Sequence, residues 1–313
     1  MRLCFAGYQV MTGCSLQGEQ KMQMIGKEDY EEPKCLLNMN TEPVETIPVS
    51  RVLEKLDEYL SKNDYVSSER HLKYWLSEAE AGNDLRGKLS VLNEMIGLYR
   101  KLSREEACTD AIQKAIILSE SLGLQDTVTG GTTYVNAATG YESFGRIEEA
   151  LALYEKAKEV YEKTLDEQDA RRGGLYNNMA LCLTAHGRFR EAEELFFKAL
   201  SVMEKQEHGE PEMAVTYLNL CDLVSAGQEE GTAQETETAE GPADPAEAET
   251  KINEYLQRAE DLLNTPGLPR NGNYAFVCEK CAPVFGYYGW FLAEAEFRKR
   301  AEEIYGSTKD DRT

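Results

Sequence analysis

The chain has no long apolar run. Nowhere in its 313 residues does it offer the roughly 18 to 20 uninterrupted apolar side chains of a membrane helix, so nothing in it is expected to span a bilayer. Basic residues are also in short supply: 34 Lys and Arg stand against 56 Asp and Glu, a net charge of -22. A surface field of that sign repels phosphate backbones and anionic headgroups, which argues against nucleic acid and membrane surfaces as partners. Histidine is confined to His71, His186 and His208, which are isolated from one another. A four-ligand metal site needs more than that, so neither metal nor cofactor is expected. The glycine pairs Gly130-Gly131 and Gly173-Gly174 are not followed by Gly-Lys-Ser/Thr, and close backbone approach at a helix start explains them better than a phosphate loop. No Ser-His-Asp or Cys-His arrangement stands out, so no catalytic residue is assigned and the chain reads as a non-enzyme.

The eight cysteines, Cys4, Cys14, Cys35, Cys108, Cys182, Cys221, Cys278 and Cys281, lack the density of a secreted disulfide scaffold and point to reduced thiols in the cytoplasm. The opening "MRLCFAGYQVMTGCS" loosely resembles a lipoprotein signal at Met11 to Cys14. Its apolar stretch is short and interrupted by Gly7, Tyr8 and Gln9, so residues 1–48 read as an irregular, disordered leader.

What the sequence does contain is a repeat. "TYVNAATGYESFGRIEEALALYEKAKEVYEK" from Thr133 and "LYNNMALCLTAHGRFREAEELFFKALSVMEK" from Leu175 align without a gap. Tyr134 pairs with Tyr176, Asn136 with Asn178, Ala138 with Ala180, Gly145 with Gly187, Ala150 with Ala192, Tyr154 with Phe196 and Ala157 with Ala199. Each unit reads as helix, turn, helix. Tyr134, Ala137, Ala138 and Tyr141 form one stripe at helical spacing, and the small residues let the second helix approach. Gly145 and Gly187 end the first helix in a left-handed conformation. Fainter copies lie upstream, around Asn93, Met95 and Leu98 and around Val52, Leu56 and Leu72, and downstream around Tyr217, Asn219 and Cys221, with a last one running from Cys278 to Ala301. Self-similarity at this period predicts an all-α fold: an α-solenoid of about six antiparallel helix pairs over residues 49–306, with 307–313 as a tail. Residues 228–250, "QEEGTAQETETAEGPADPAEAET", carry no basic or large apolar side chain and are expected to be a disordered acidic insertion.

The motif, an aromatic, an apolar and a small residue, an aromatic, then Ala-x-x-x-aromatic in the second helix, resembles the tetratricopeptide repeat. The long period and the Asn-apolar-small triplets (Asn136-Ala137-Ala138, Asn178-Met179-Ala180) are similar to the variety found in kinesin light chain and many bacterial proteins. In such repeats the first helices line a groove that receives peptide. The resemblance therefore implies a non-catalytic protein- or peptide-binding scaffold recognising an extended segment.

One first-helix position is asparagine four times: Asn93, Asn136, Asn178 and Asn219, spaced 43, 42 and 41 residues apart. An amide offers both donors and an acceptor, so a row of them could hold an extended backbone; equally, each could bond the neighbouring helix and order the stack. The resemblance favours the first. Val135, Thr139, Glu142, Asn177, Leu181, Leu218 and Asp222 are the neighbouring candidates for reading side chains. A basic pair able to clamp a terminal carboxylate is missing between Thr133 and Asp222, which disfavours binding of chaperone C-termini. Two rivals remain: a sensor of short signalling peptides, and a thiol-redox or metal-binding protein working through Cys278 and Cys281. Those two thiols fall on a packing stripe with Ala282 and Phe285, where a free cysteine serves as a small hydrophobe.

Overall fold

The elements follow from caps and turns that the sequence spells out locally. Asp64, Asp84, Thr127, Asp244 and Asn271 each precede a helix and accept a hydrogen bond from a backbone N–H in its first turn, satisfying donors that a helix start leaves unpaired. The computed structural model describes residues 45–231 and 244–310. Among them are twelve helices and no strand: α1 (Val49–Leu60), α2 (Tyr65–Ala81), α3 (Leu85–Lys101), α4 (Glu105–Ser121), α5 (Val128–Ser143), α6 (Ile147–Thr164), α7 (Ala170–Ala185), α8 (Phe189–Met203), α9 (Glu210–Gly231), α10 (Pro245–Leu263), α11 (Gly272–Tyr287) and α12 (Phe291–Asp310).

Two compact units divide the chain, Met1–Asn178 and Met179–Thr313, the division falling within α7. In the first unit α1 pairs with α2, α3 with α4 and α5 with α6, and successive hairpins stack: α3 packs on both α2 and α5, and α4 also packs on α5. In the second, α9 lies against α8, α10 and α11, and α11 pairs with α12. Both units thus have the hairpin-on-hairpin packing of an α-solenoid.

Turn chemistry sets the hairpins. Gly145, Gly187 and Gly289 carry positive φ angles of 74°, 75° and 83° where their hairpins turn, and Asn63 does the same at 54°. The hairpin between α3 and α4, which has no glycine, places Ser103 in that conformation at φ 53°. The core is the expected stripe: Tyr134, Ala137, Ala138 and Tyr141 on α5 are buried, as are Ala150, Leu153, Tyr154 and Ala157 on α6. Gly131 is required by packing, because a Cβ there would stand 2.6 Å from Cε1 of Tyr161. At Gly130 it would collide with the Leu124 carbonyl.

Three boundaries differ from expectation. Helix covers both ends of the segment 228–250, since α9 runs to Gly231 and α10 starts at Pro245. Asp244 caps α10, and the proline next to it sits in the first turn, where its missing N–H costs nothing. Pro283 lies inside α11. Helix also extends beyond residue 306, as α12 reaches Asp310. The leader up to residue 44 and the middle of the acidic insertion fall outside the described residues.

Candidate functional site

The asparagines occupy equivalent places on the first helices, but not equivalent surroundings. Asn93, on α3, is 3% exposed. Its Nδ2 donates to the Leu89 carbonyl and to Thr133 Oγ1, both at 3.2 Å, and its Oδ1 accepts from Asn136 Nδ2 at 3.1 Å. Since Asn136 and Thr133 both belong to α5, these bonds tie two stacked hairpins together. Asn136 is half-buried, and its Oδ1 accepts no hydrogen bond from the described residues. Asn178 is 2% exposed, and its buried Nδ2 has no acceptor among the described residues. Asn219, in the second unit, is 3% exposed.

The expected row of four presented amides is therefore corrected to one that reaches solvent, Asn136. The physical reason is close packing of the first helices: small neighbours bring them near enough for one amide to bond the next. Of the flanking candidates, Thr139 and Glu142 on α5, Leu181 on α7 and Asp222 on α9 are half-buried, while Val135, Asn177 and Leu218 are buried. Asn136, Thr139 and Ser143 share one face of α5 at helical spacing and are all half-buried, a polar stripe on that helix.

The two candidate acids are held from within. Tyr154, on α6, donates its hydroxyl to Glu142 Oε2 at 2.7 Å. Burial pushes the Glu142 carboxyl up to about 7, against the opposing pull of that hydrogen bond and of the Arg100 guanidinium. In the second unit, Tyr288 donates to Asp222 Oδ1 at 3.0 Å and sits 2.9 Å from Ser225 Oγ. Burial raises Asp222 to about 6 while the tyrosine bond opposes it.

Arg171 and Arg172, at the start of α7, are engaged internally. Arg171 pairs with Asp169 at 2.6 Å. Arg172 donates to the Tyr176 hydroxyl at 3.0 Å, which in turn donates to Glu162. Cys278 and Cys281 are both buried, as packing on the α11 stripe requires. Burial lifts the Cys278 thiol to about 11 and the Cys281 thiol well above its ordinary value, leaving neither as the thiolate that redox or metal chemistry uses. Among the described residues no group of His, Cys, Asp and Glu could hold a metal ion, and no helix is long and apolar enough to cross a membrane.

Residues 131–205 match the tetratricopeptide repeat family. No curated protein matches the chain. Solved structures do. BtubC (BKLC) from P. vanneervenii is 17% identical, with a TM-score of 0.50, over 84% of this chain and 93% of that one. TPR-like repeats assigned to a kinesin light chain of Podosopora anserina are 15% identical, with a TM-score of 0.47, over 71% and 96%. A Q17M form of those repeats is 14% identical, with a TM-score of 0.49, over 71% and 97%. At such identities the likeness speaks for the fold. Residues 131–205 match tetratricopeptide repeats, helical repeat scaffolds that typically mediate protein interactions, and the hairpins on either side continue the same all-helical fold.

Proposed function

We propose that the protein is a non-catalytic cytoplasmic scaffold that binds an extended segment of a partner protein along the first-helix face of its first unit. The observation that carries this reading is the half-buried polar stripe of Asn136, Thr139 and Ser143 on α5, where Asn136 Oδ1 accepts no hydrogen bond from the described residues. An extended backbone brings an N–H to such an acceptor, and a stripe that is recessed but still wet costs little to desolvate. The buried amides fix the helices from behind, and Thr139 and Asn136 meet the ligand. The small-peptide sensor remains a variant of this reading that uses the same face.

Thr139 supplies the test. Its hydroxyl bonds only its own helix, at the Asn136 carbonyl, so Thr139→Arg should leave the melting temperature nearly unchanged while filling the stripe with a bulky cation. Affinity capture with the wild-type protein identifies partners; the variant is expected to lose them. Capture of the same proteins in the same amounts by Thr139→Arg contradicts the reading.

A further inference from the structure

In the first unit each later hairpin packs on the one before it: α3 lies against α2, and α5 against α3 and α4. Among the described residues no helix precedes α1, so the α1–α2 hairpin has an uncovered side. The covered side of α2 is marked by Glu69, which accepts from Arg104 Nη1 at 2.8 Å and from the Tyr99 hydroxyl at 3.4 Å, and by Tyr65, whose ring lies under the Lys101 ammonium. Tyr74 is nine residues on from Tyr65, which at 3.6 residues per turn places it on the opposite side of the helix. It is turned away from α3 and is 54% exposed.

Aromatic rings run across this end of the stack. Tyr59 of α1 and His71, Trp75 and Tyr74 of α2 follow one another edge-on, with ring centroids 5.7, 6.4 and 5.2 Å apart. His71 Nε2 lies 2.9 Å from the Val52 carbonyl, which ties the run to α1. Tyr59, His71 and Trp75 are half-buried, whereas the tyrosines of the inner hairpin, Tyr134, Tyr141, Tyr154 and Tyr161, are all buried. A contiguous row of rings left partly wet is apolar area that marks an interaction site.

The point at which the chain enters supplies the occupant. Glu45 N donates to the Gly82 carbonyl at 3.3 Å and Ile47 N to Asp84 Oδ2 at 2.9 Å, so the 44 residues that precede Glu45 join the fold at the C-terminal end of α2. Trp75 is seven residues back from Gly82 along that helix, about 10 Å at 1.5 Å per residue. An extended chain covers that distance in about three or four residues. The first apolar group upstream of Val44 is Cys35, Leu36, Leu37 and Met39, well within reach. The acidic insertion, residues 228–250, has no large apolar side chain with which to cover rings.

We propose that the aromatic end of the α1–α2 hairpin is a docking surface for the chain's own leader, which lays Leu36, Leu37 and Met39 across Tyr74 and Trp75. Leucine side chains bury against the ring faces, and a methionine thioether makes favourable contacts with them. The leader thus does for the first hairpin what a preceding hairpin does for α3 and α5, closing the apolar end that a stacked repeat otherwise leaves open. This surface lies at the end of the stack and is independent of the polar stripe on α5.

The test places a photo-crosslinking phenylalanine analogue at position 74 of the full-length protein. ¹⁵N-labelled and unlabelled chains are mixed, irradiated at micromolar concentration and mapped by mass spectrometry. Crosslinks from position 74 to residues 35–41, within chains of one isotope, are expected. The same analogue at Ile117, exposed on α4, should not reach the leader. Leu36→Glu combined with Leu37→Glu should abolish the crosslink at unchanged helical content, since both positions lie outside the described helices. A second measurement leaves Tyr74 in place: in Trp290→Phe, where Trp75 is the sole tryptophan, the two glutamates should increase acrylamide quenching of its fluorescence. The proposal is overturned if position 74 yields no crosslink to the leader, if the crosslink survives the two glutamates, or if quenching is the same with and without them. Crosslinks that join labelled to unlabelled chains would overturn it too, by making a second copy the occupant.

Discussion

Asn136 Nδ2 donates to Asn93 Oδ1 across 3.1 Å, so residues 43 apart in sequence join two stacked hairpins. Asn93 also donates to Leu89 and Thr133, which makes it the better connected of the pair. Asn93→Ala should therefore cost more stability than Asn136→Ala. A double-mutant cycle in urea should return a coupling of about 0.5–1.5 kcal/mol for the bond between them. Additive single effects would mean that the contact contributes nothing.

Glu142 predicts how stability in the first unit varies with pH. Its carboxyl stands at about 7 in the fold against an ordinary 4.5. The folded state therefore holds the proton more tightly than the unfolded chain between those values. The stabilisation is full below about pH 4.5 and is lost as pH rises through about 7, amounting to about 1–3 kcal/mol. Glu142→Gln, which keeps the shape and cannot ionise, should flatten this fall. Unfolding by urea at pH 5 and pH 8 measures it; an identical pH slope in the variant would contradict the assignment.

Asp222, like Glu142, is raised by burial, to about 6, while a tyrosine hydroxyl, here that of Tyr288, favours its charged form. Above about pH 6 the carboxylate is ionised and the bond is charge-assisted. Tyr288→Phe should destabilise the second unit by about 1.5–3 kcal/mol at pH 7.5 and by clearly less at pH 5, where the acid is protonated. Equal losses at both values would show that ring packing, not the bond, was removed.

Thiol accessibility follows from burial. Cys108, Cys182, Cys221, Cys278 and Cys281 are all buried in their helices. Labelling the native protein with a disulfide reagent at pH 8, followed by peptide mass spectrometry, should leave these five unmodified until denaturant is added. Rapid native modification of Cys278 or Cys281 would revive the thiol reading.

Much of this architecture was legible because the repeat uses residues whose roles are local. Gly145 and Gly187 announce a left-handed turn, and Tyr134, Ala137, Ala138 and Tyr141 announce a packing face; all do as their chemistry suggests. Ser103 could not be read that way, since serine carries no preference for the positive φ that its hairpin imposes. The end of α9 was hidden for a related reason: no glycine stops that helix where its counterparts stop, and it continues to Gly231.

The site was less legible than the fold. Periodicity finds the face on which Asn93, Asn136, Asn178 and Asn219 lie, but whether an amide meets solvent or the next helix depends on how closely two helices approach. Glu142 and Asp222 looked like ligand readers from their positions, yet each accepts a tyrosine hydroxyl from the element packed against it.

The central claim is that a partner lies along the first-helix face and not the outer one. A photo-crosslinking residue placed at Thr139 on α5 and, separately, at the exposed Glu155 on α6 tests it in the presence of a captured partner. Crosslinks to the partner from position 139, and none from 155, are predicted. Crosslinks from 155 with none from 139 would place the partner on the opposite face and contradict the account.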